Sequence, residues 1–169
     1  MRDLVFVIIN YNTKALAEKL VANVKDYQSI SKILIVDNAS TDDSYQELKK
    51  LENDRIEVLQ AEENKGFSAG MNIGAKRAIE LFSKCDIIFS NTDIIISSEE
   101  TIEILQTALK MRRVAVASPV VFQENTISRG WKIPSAKEEI LINLPGIGKK
   151  FQKKYMFYDE DHYKGKYSY

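Results

Sequence analysis

The chain has 169 residues with 24 basic and 24 acidic side chains, so its formal net charge is zero; 44% of residues are apolar and 28% charged. This composition excludes disordered and collagen-like chains and supplies enough apolar side chains for one sizeable core. A balanced charge also argues against a dedicated nucleic-acid binder, which needs surplus Lys and Arg against phosphates.

The N-terminal apolar run Leu4 to Ile9 is six residues long, too short to span a membrane or form a signal-peptide core. It reads instead as a strand buried on both faces. Residues Thr13 to Lys25 follow with Leu16, Leu20, Val21 and Val24 at helical spacing. Lys32 to Val36 is a second buried strand, ended by Asp37-Asn38. Ser40-Thr41-Asp42-Asp43 then offers helix caps, and Tyr45, Leu48 and Leu51 mark the inward side of a short helix. Ile56 to Leu59 is a third strand, and a Gly-rich stretch leads into a helix from about Ala69 to Phe82. Asp86 to Phe89 is a fourth strand and Ile94 to Ile96 a short fifth segment. Ser97 with Glu100 predicts a capping box for a helix through Met111. Val114 to Ala117 continues the strand series. Strands alternating with helices imply right-handed crossovers and a mainly parallel α/β sheet.

Beyond Val121 the pattern loosens, with Pro134, Pro145, Gly146 and Gly148 interrupting any long element. Ile140, Leu141, Leu144, Ile147, Phe151 and Tyr155 recur at three- and four-residue steps among Lys149, Lys150, Lys153 and Lys154. Residues 1–100 hold 12 basic and 17 acidic groups, and residues 101–169 hold 12 and 7, a net of −5 against +5. The basic stretch fits either packing against further chain, the favoured reading, or contact with an anionic membrane surface. Cys85, the only cysteine, forbids an internal disulfide, so cytoplasmic location is the expectation. It reads as a core thiol, and Trp131 as a packed aromatic.

In open parallel sheets, ligands bind beyond the carboxyl ends of the strands. Each of those ends carries an amide or a carboxylate here: Asn10-Tyr11-Asn12, Asp37-Asn38, Asn64-Lys65-Gly66 and Asn91-Thr92-Asp93. Asp37 can accept hydrogen bonds from a base or ribose, or close an Asx turn. Asp93 can hold a divalent cation together with substrate phosphates, or sit in a turn. Tyr11 can stack on a base or pack at the surface. Gly66, Gly70 and Gly74 share a helix face and permit close backbone approach, and main-chain N–H groups at that helix start can meet a phosphate. A rival lies in the same stretch. Gly66-Phe67-Ser68-Ala69-Gly70 matches a nucleophile elbow, with Asp93 and His162 in the order of a Ser68-Asp93-His162 triad. Against it, Glu62 to Lys65 separate the third strand from the serine. A third option is a non-catalytic α/β module that binds a partner.

Four segments together resemble the family-2 glycosyltransferases of the GT-A fold, in particular the bacterial polysaccharide and rhamnosyltransferase-like branch. They are Val7 to Asn12, Ile35 to Asp42, Glu63 to Gly74 and Ser90 to Asp93, and the Gly-x-Ser-x-Gly match falls inside the third. The resemblance implies a Rossmann-like nucleotide-diphospho-sugar fold and transfer of a sugar, with inversion, from a UDP- or dTDP-sugar to a hydroxyl of a saccharide or lipid-linked acceptor in cell-surface polysaccharide synthesis. It implies nucleotide contacts from Asn10, Tyr11, Asn12, Asp37, Asn38, Asn64, Lys65, Gly66, Asn72 and Asn91. Asp37 would hold the base, and Asp93 would hold Mg²⁺ or Mn²⁺ as the last residue of a DxD motif whose first position is Asn91. The family's downstream acidic base motif has no match in 97–169, which leaves Asp159 and Asp161 as weak candidates. The expectation is a nucleotide-sugar core over 1–120 and the start of an acceptor-side region over 121–169, the chain stopping before the acceptor half, with cytoplasmic location and possible contact with the inner face of the membrane.

Overall fold

A computed structural model describes residues 2–123, 126–128 and 134–156. The chain divides into two compact units, Met1–Val114 and Ala115–Tyr169. The first contains strands β1 (Asp3–Asn10), β2 (Lys32–Asp37), β3 (Ile56–Gln60) and β4 (Cys85–Ser90). Helices α1 (Lys14–Val24), α2 (Ser44–Lys49), α3 (Phe67–Leu81) and α4 (Glu99–Leu109) alternate with them. The four strands are all parallel, in the order β3-β2-β1-β4. The α/β alternation read from the sequence therefore holds.

Alternation along β1 explains why the sheet is covered on both sides. Leu4, Phe6 and Ile8 join Leu20, Val24, Ile35 and Leu48 in one apolar cluster beneath α1 and α2. Val5, Val7 and Ile9 join Leu34, Val36 and Ala78 in a second cluster beneath α3. Every residue from Leu4 to Asn10 is buried, as a central parallel strand requires. Close approach of α3 depends on small residues: Gly70, Gly74 and Ala78 are its buried positions. A Cβ added at Gly74 would lie 2.3 Å from Val7 Cγ1. At the opposite end of the sheet, Arg55 donates to the carbonyl oxygens of Lys25 (2.9 Å), Tyr27 (2.7 Å) and Ile30 (2.6 Å). These are carbonyls that the end of α1 and the following loop leave without helical partners.

Several local expectations are corrected. Ile94 to Ile96 is not a strand. Asn23 takes the place of a ladder neighbour, donating from Nδ2 to Ile96 O (3.1 Å) and accepting from Ile96 N at Oδ1 (2.8 Å). Val114 to Ala117 has no strand partner among the described residues, and Val116 is 85% exposed. The Ser97–Glu100 capping box does not form. Helix α4 starts after Ser98 without a side-chain cap, and Ser97 Oγ lies 3.2 Å from Thr101 Oγ1 instead. Glu99 accepts from Ser29 N at 2.6 Å and so ties the start of α4 to the α1–β2 loop.

The second unit contains the two-stranded antiparallel sheet β5 (Val121–Gln123) and β6 (Thr126–Ser128), and helices α5 (Ala136–Ile142) and α6 (Gly148–Tyr155). A capping box does form here. Ser135 N donates to Glu138 Oε2 at 2.7 Å, and Glu138 N donates to Ser135 Oγ at 3.5 Å. The interrupted periodicity of the basic stretch resolves into two helices separated at Pro145-Gly146. The rings of Phe151 and Tyr155, one turn apart on α6, stack at 6.0 Å. Among the described residues, no helix is long and apolar enough to cross a membrane.

Candidate functional site

The carboxyl ends of the strands of the first unit open onto one cavity of about 480 Å³. Each loop contributes to its wall: Tyr11 and Thr13 after β1, Asn38 after β2, Asn64, Gly66 and Phe67 before and at the start of α3, and Asn91, Thr92 and Asp93 after β4. Ile9 and Leu16 complete the lining. The parallel topology places these loops on one side of the sheet. The register of β1 and β2 sets Asn10 directly opposite Asp37, so their loops leave the sheet at the same level.

The backbone around the cavity holds two non-glycine residues in the left-handed region, Asn12 (φ 55°) and Ala39 (φ 58°). Asn tolerates that conformation, whereas Ala meets the Cβ clash in full. The two turns are locked together: Asn12 N donates to Ser40 Oγ (2.9 Å) and Thr41 N donates to Asn12 Oδ1 (2.8 Å). Gly66 (φ 89°) caps α3 in a conformation that favours glycine. Its N–H donates to Asn64 Oδ1 (2.9 Å), which also accepts from Asn38 Nδ2 (2.9 Å). Asn38 Nδ2 further donates to Gly66 O at 3.2 Å. The amides of Asn38 and Asn64 thus fix the entry into α3, whose first N–H groups, those of Phe67 and Ser68, have no acceptor within the helix.

The ten residues expected to contact nucleotide fall into distinct places. Tyr11, Asn38, Asn64, Gly66 and Asn91 line the cavity, and Tyr11 is 43% exposed, leaving its ring open to a flat ligand. Asn10 and Asp37 do not line it. Both are fully buried, and both oxygens of Asp37 are engaged. Oδ1 accepts from Asn10 Nδ2 (2.8 Å) and Ser40 Oγ (2.6 Å), and Oδ2 from Ser40 N (3.0 Å). This geometry is the turn-closing alternative read for Asp37. Asn12 is exposed and bonds Ser40 and Thr41 rather than lining the cavity. Lys65 pairs with Glu63 at 2.5 Å, and Asn72 lies exposed along α3 away from the lining.

Asp93 is exposed and faces the cavity, and its carboxylate makes no hydrogen bond or ion pair among the described residues. No group of three His, Cys, Asp or Glu side chains able to hold a metal occurs among the described residues. One free carboxylate beside the Asn91 amide is nonetheless a donor set that suits a hard cation completing its shell with water and phosphate oxygens. Asp159, Asp161, His162 and Trp131 lie outside the described residues. The nucleophile elbow is not built: β3 ends at Gln60, and Ser68 sits exposed in the first turn of α3 rather than on a strand-to-helix turn. Burial raises the pKa of the Cys85 thiol, and Asp86 and Asp3 raise it further, which makes it a poor nucleophile.

Thr13 and Thr92 were not among the residues singled out from the sequence. Their hydroxyls meet at 3.0 Å across the cavity wall, joining the loops after β1 and β4.

Comparison with known proteins bears on this geometry. Residues 5–165 match the model of the family described as glycosyl transferase family 2. Among solved structures, the chain is similar to a mannosyltransferase from Pyrobaculum calidifontis in complex with GDP-Man and Mn²⁺. The TM-score is 0.56 and the identity 16%, covering 68% of this chain and 36% of that one. It is also similar to S. aureus TarS residues 1–349. In complex with UDP the TM-score is 0.51 at 21% identity, covering 63% of this chain and 32% of that one. A second TarS 1–349 structure gives 0.52 at 19%, covering 86% and 45%. The chain thus spans less than half the length of these structures. No curated protein sequence matches significantly.

Proposed function

The chain belongs to glycosyl transferase family 2, and from that premise we propose that its first unit is the donor site of a sugar transferase, the cavity taking a nucleoside-diphospho-sugar. The observation that carries this reading is the convergence of an open aromatic ring, a fixed helix start and one unpaired carboxylate on a single cavity. Tyr11 offers its ring face to a base, and Asn38 and Asn64 supply amide edges. The N-terminus of α3 presents unpaired N–H groups and the positive end of its dipole to the diphosphate. A divalent cation held by Asp93, with Asn91 beside it, would take up negative charge growing on the diphosphate as the glycosidic bond breaks. The solved relatives bind GDP-Man with Mn²⁺ in one case and UDP in the other, which supports a nucleotide and a cation without choosing the base.

The finer reading is a UDP- or dTDP-sugar donor, an inverting transfer to a saccharide or lipid-linked hydroxyl in polysaccharide synthesis, and residues 121–169 as the beginning of the acceptor side. Its proposed location is the cytoplasm, with contact to the inner face of the membrane.

Thermal unfolding tests the core of the proposal. A ligand that binds only the folded chain at one hundred times its Kd adds about 2.7 kcal/mol, a rise of several degrees in Tm at this length. UDP, dTDP and GDP are each measured with Mn²⁺, with Mg²⁺ and with EDTA. At least one is expected to raise Tm, more so with cation, and Asp93→Ala to abolish the cation-dependent part. No rise with any nucleotide would remove the donor site, and an undiminished cation effect in Asp93→Ala would remove the metal role.

A further inference from the structure

Two buried polar groups behind the cavity, Asn10 and Asp37, form a directed chain with two threonines of its wall, Thr13 and Thr92. Asp37 can only accept, so the NH₂ of Asn10 must face it, and Asn10 Nδ2 donates to Asp37 Oδ1 at 2.8 Å. The amide oxygen of Asn10 then faces away and accepts from Thr13 Oγ1 at 2.9 Å. The single hydroxyl proton of Thr13 is spent on that bond. The 3.0 Å contact between the Thr13 and Thr92 hydroxyls therefore has Thr92 as donor. Every proton points toward the carboxylate, an arrangement in which each bond polarises the next. Asn10 and Asp37 are fully buried, so water competes little for the bond between them, while the half-buried Thr13 and Thr92, 7% exposed, carry the chain out to the cavity wall.

Thr92 stands between Asn91 and Asp93. Its hydroxyl meets that of Thr13 in the cavity wall, and both neighbours are exposed and line the same cavity. The loop is held as well by Ser90 Oγ, which donates to Asn91 O at 2.6 Å, by Ile94 packed on the apolar core, and on the far side by Asn23 and Tyr27 at Ile96; Tyr27 Oη donates to Ile96 O at 3.3 Å. Thr92 is bonded directly to Asp93 in the chain, so what holds the Thr92 side chain bears on how the Asp93 carboxylate is aimed.

We infer that Asp37, Asn10 and Thr13 are positioning residues: acting through Thr92, they aim the Asp93 carboxylate at the cation subsite, and Asp37 touches no part of the donor. The inference rests on the donor-site reading for its functional consequence but not for its geometry. Partners behind a metal-binding group typically govern affinity by ten- to a hundredfold.

In the ligand-free 169-residue protein, Thr13→Val is expected to displace the backbone amide NMR signals of Asn91, Thr92 and Asp93 and to speed their exchange. Thr13→Ser, which restores the hydroxyl, is expected to return them. In calorimetric titrations with UDP and GDP, Thr13→Val should weaken the Mn²⁺-dependent part of binding about tenfold, more than it weakens binding in EDTA. Thr92→Val cuts the relay without touching Asn10 and should behave alike; it decides the matter if Thr13→Val does not fold. Unmoved signals at 91–93 in the valine variants would overturn the relay. So would equal losses with and without Mn²⁺, or no rescue by serine, since a plain stability defect produces both. If the unaltered protein binds neither nucleotide under either condition, the donor-site reading fails separately, and the amide signals alone decide the relay.

Discussion

At the scale of single residues, two turns next to the cavity-lining loops hold non-glycine residues in the left-handed region. Ala39 holds φ at 58° between the buried Asn38 and the Ser40 that binds Asp37. The left-handed region costs an L residue roughly 1–2 kcal/mol, and the network around Ser40 holds Ala39 there. Ala39→Gly removes the clash and adds unfolded-state entropy of about 0.4–1 kcal/mol, so the net expectation is a gain of up to about 1 kcal/mol. Urea unfolding measures it; a loss of stability would show that the Cβ makes a contact worth more than the strain. Asp37 teaches a different lesson. A carboxylate at the end of a buried strand was legible as important, and both roles read for it, base contact and turn closure, need the same residue type. Only the positions of Asn10 and Ser40 around it separate them.

At the scale of elements, the strands and helices of the first unit follow from pattern, because a six-residue apolar run rich in β-branched residues and buried on both faces has few alternatives. The failures are instructive. Ile94 to Ile96 carries strand-forming residues, yet the backbone N–H and carbonyl of Ile96 are satisfied by the Asn23 side chain, seventy-odd residues away. Ser97–Glu100 and Ser135–Glu138 carry the same capping spacing, and only the second forms a box. Near the first, Glu99 is drawn to Ser29 N. Helix α3 shows what small residues permit. Its Gly74 lies against Val7 of the central strand, where a Cβ would come within 2.3 Å of a methyl carbon. Gly74→Ala must push α3 away from the sheet or force Val7 off its rotamer, at a cost of about 1–3 kcal/mol. A drop of that size in urea-unfolding free energy is the expected result. A neutral or stabilising change, as helix propensity alone would give, would contradict the close packing.

At the scale of the whole molecule, the carboxylates tie stability to pH. The carboxyl of Glu99 is held below its ordinary pKa chiefly by the Ser29 backbone N–H, that of Glu52 by Lys49 and then the Val58 N–H, and that of Asp42 by Ser44. A group whose folded pKa is depressed contributes stability in full above its unfolded value, about 4 for carboxylates. That contribution is lost as pH falls through the folded value. The chain is therefore expected to lose Tm steadily from about pH 5 downward, and Glu99→Gln to lose less over the same range while starting lower at pH 7. Parallel curves for the two proteins would show that the Ser29 bond contributes nothing. Lys14 and Arg77 are shifted upward, Lys14 chiefly by Asp43 and Arg77 by Glu57. Their contributions are lost only in alkali, so neutral pH lies within the stable window.

The sequence by itself determined the α/β alternation, the parallel sheet, the end of the sheet at which the polar loops gather around a cavity and the family, because each rests on local periodicity or on short motifs whose order survives in one dimension. Which polar residues face the cavity and which stand behind it was decided only by the tertiary structure. Asn10 and Asp37 end β1 and β2, Thr13 and Thr92 lie in the loops after β1 and β4, and a hydrogen bond spanning 79 positions leaves no periodic trace. Parallel pairing of β1 with β2 and β4 brings those loops within bonding distance, and burial then requires every donor and acceptor among them to find a partner.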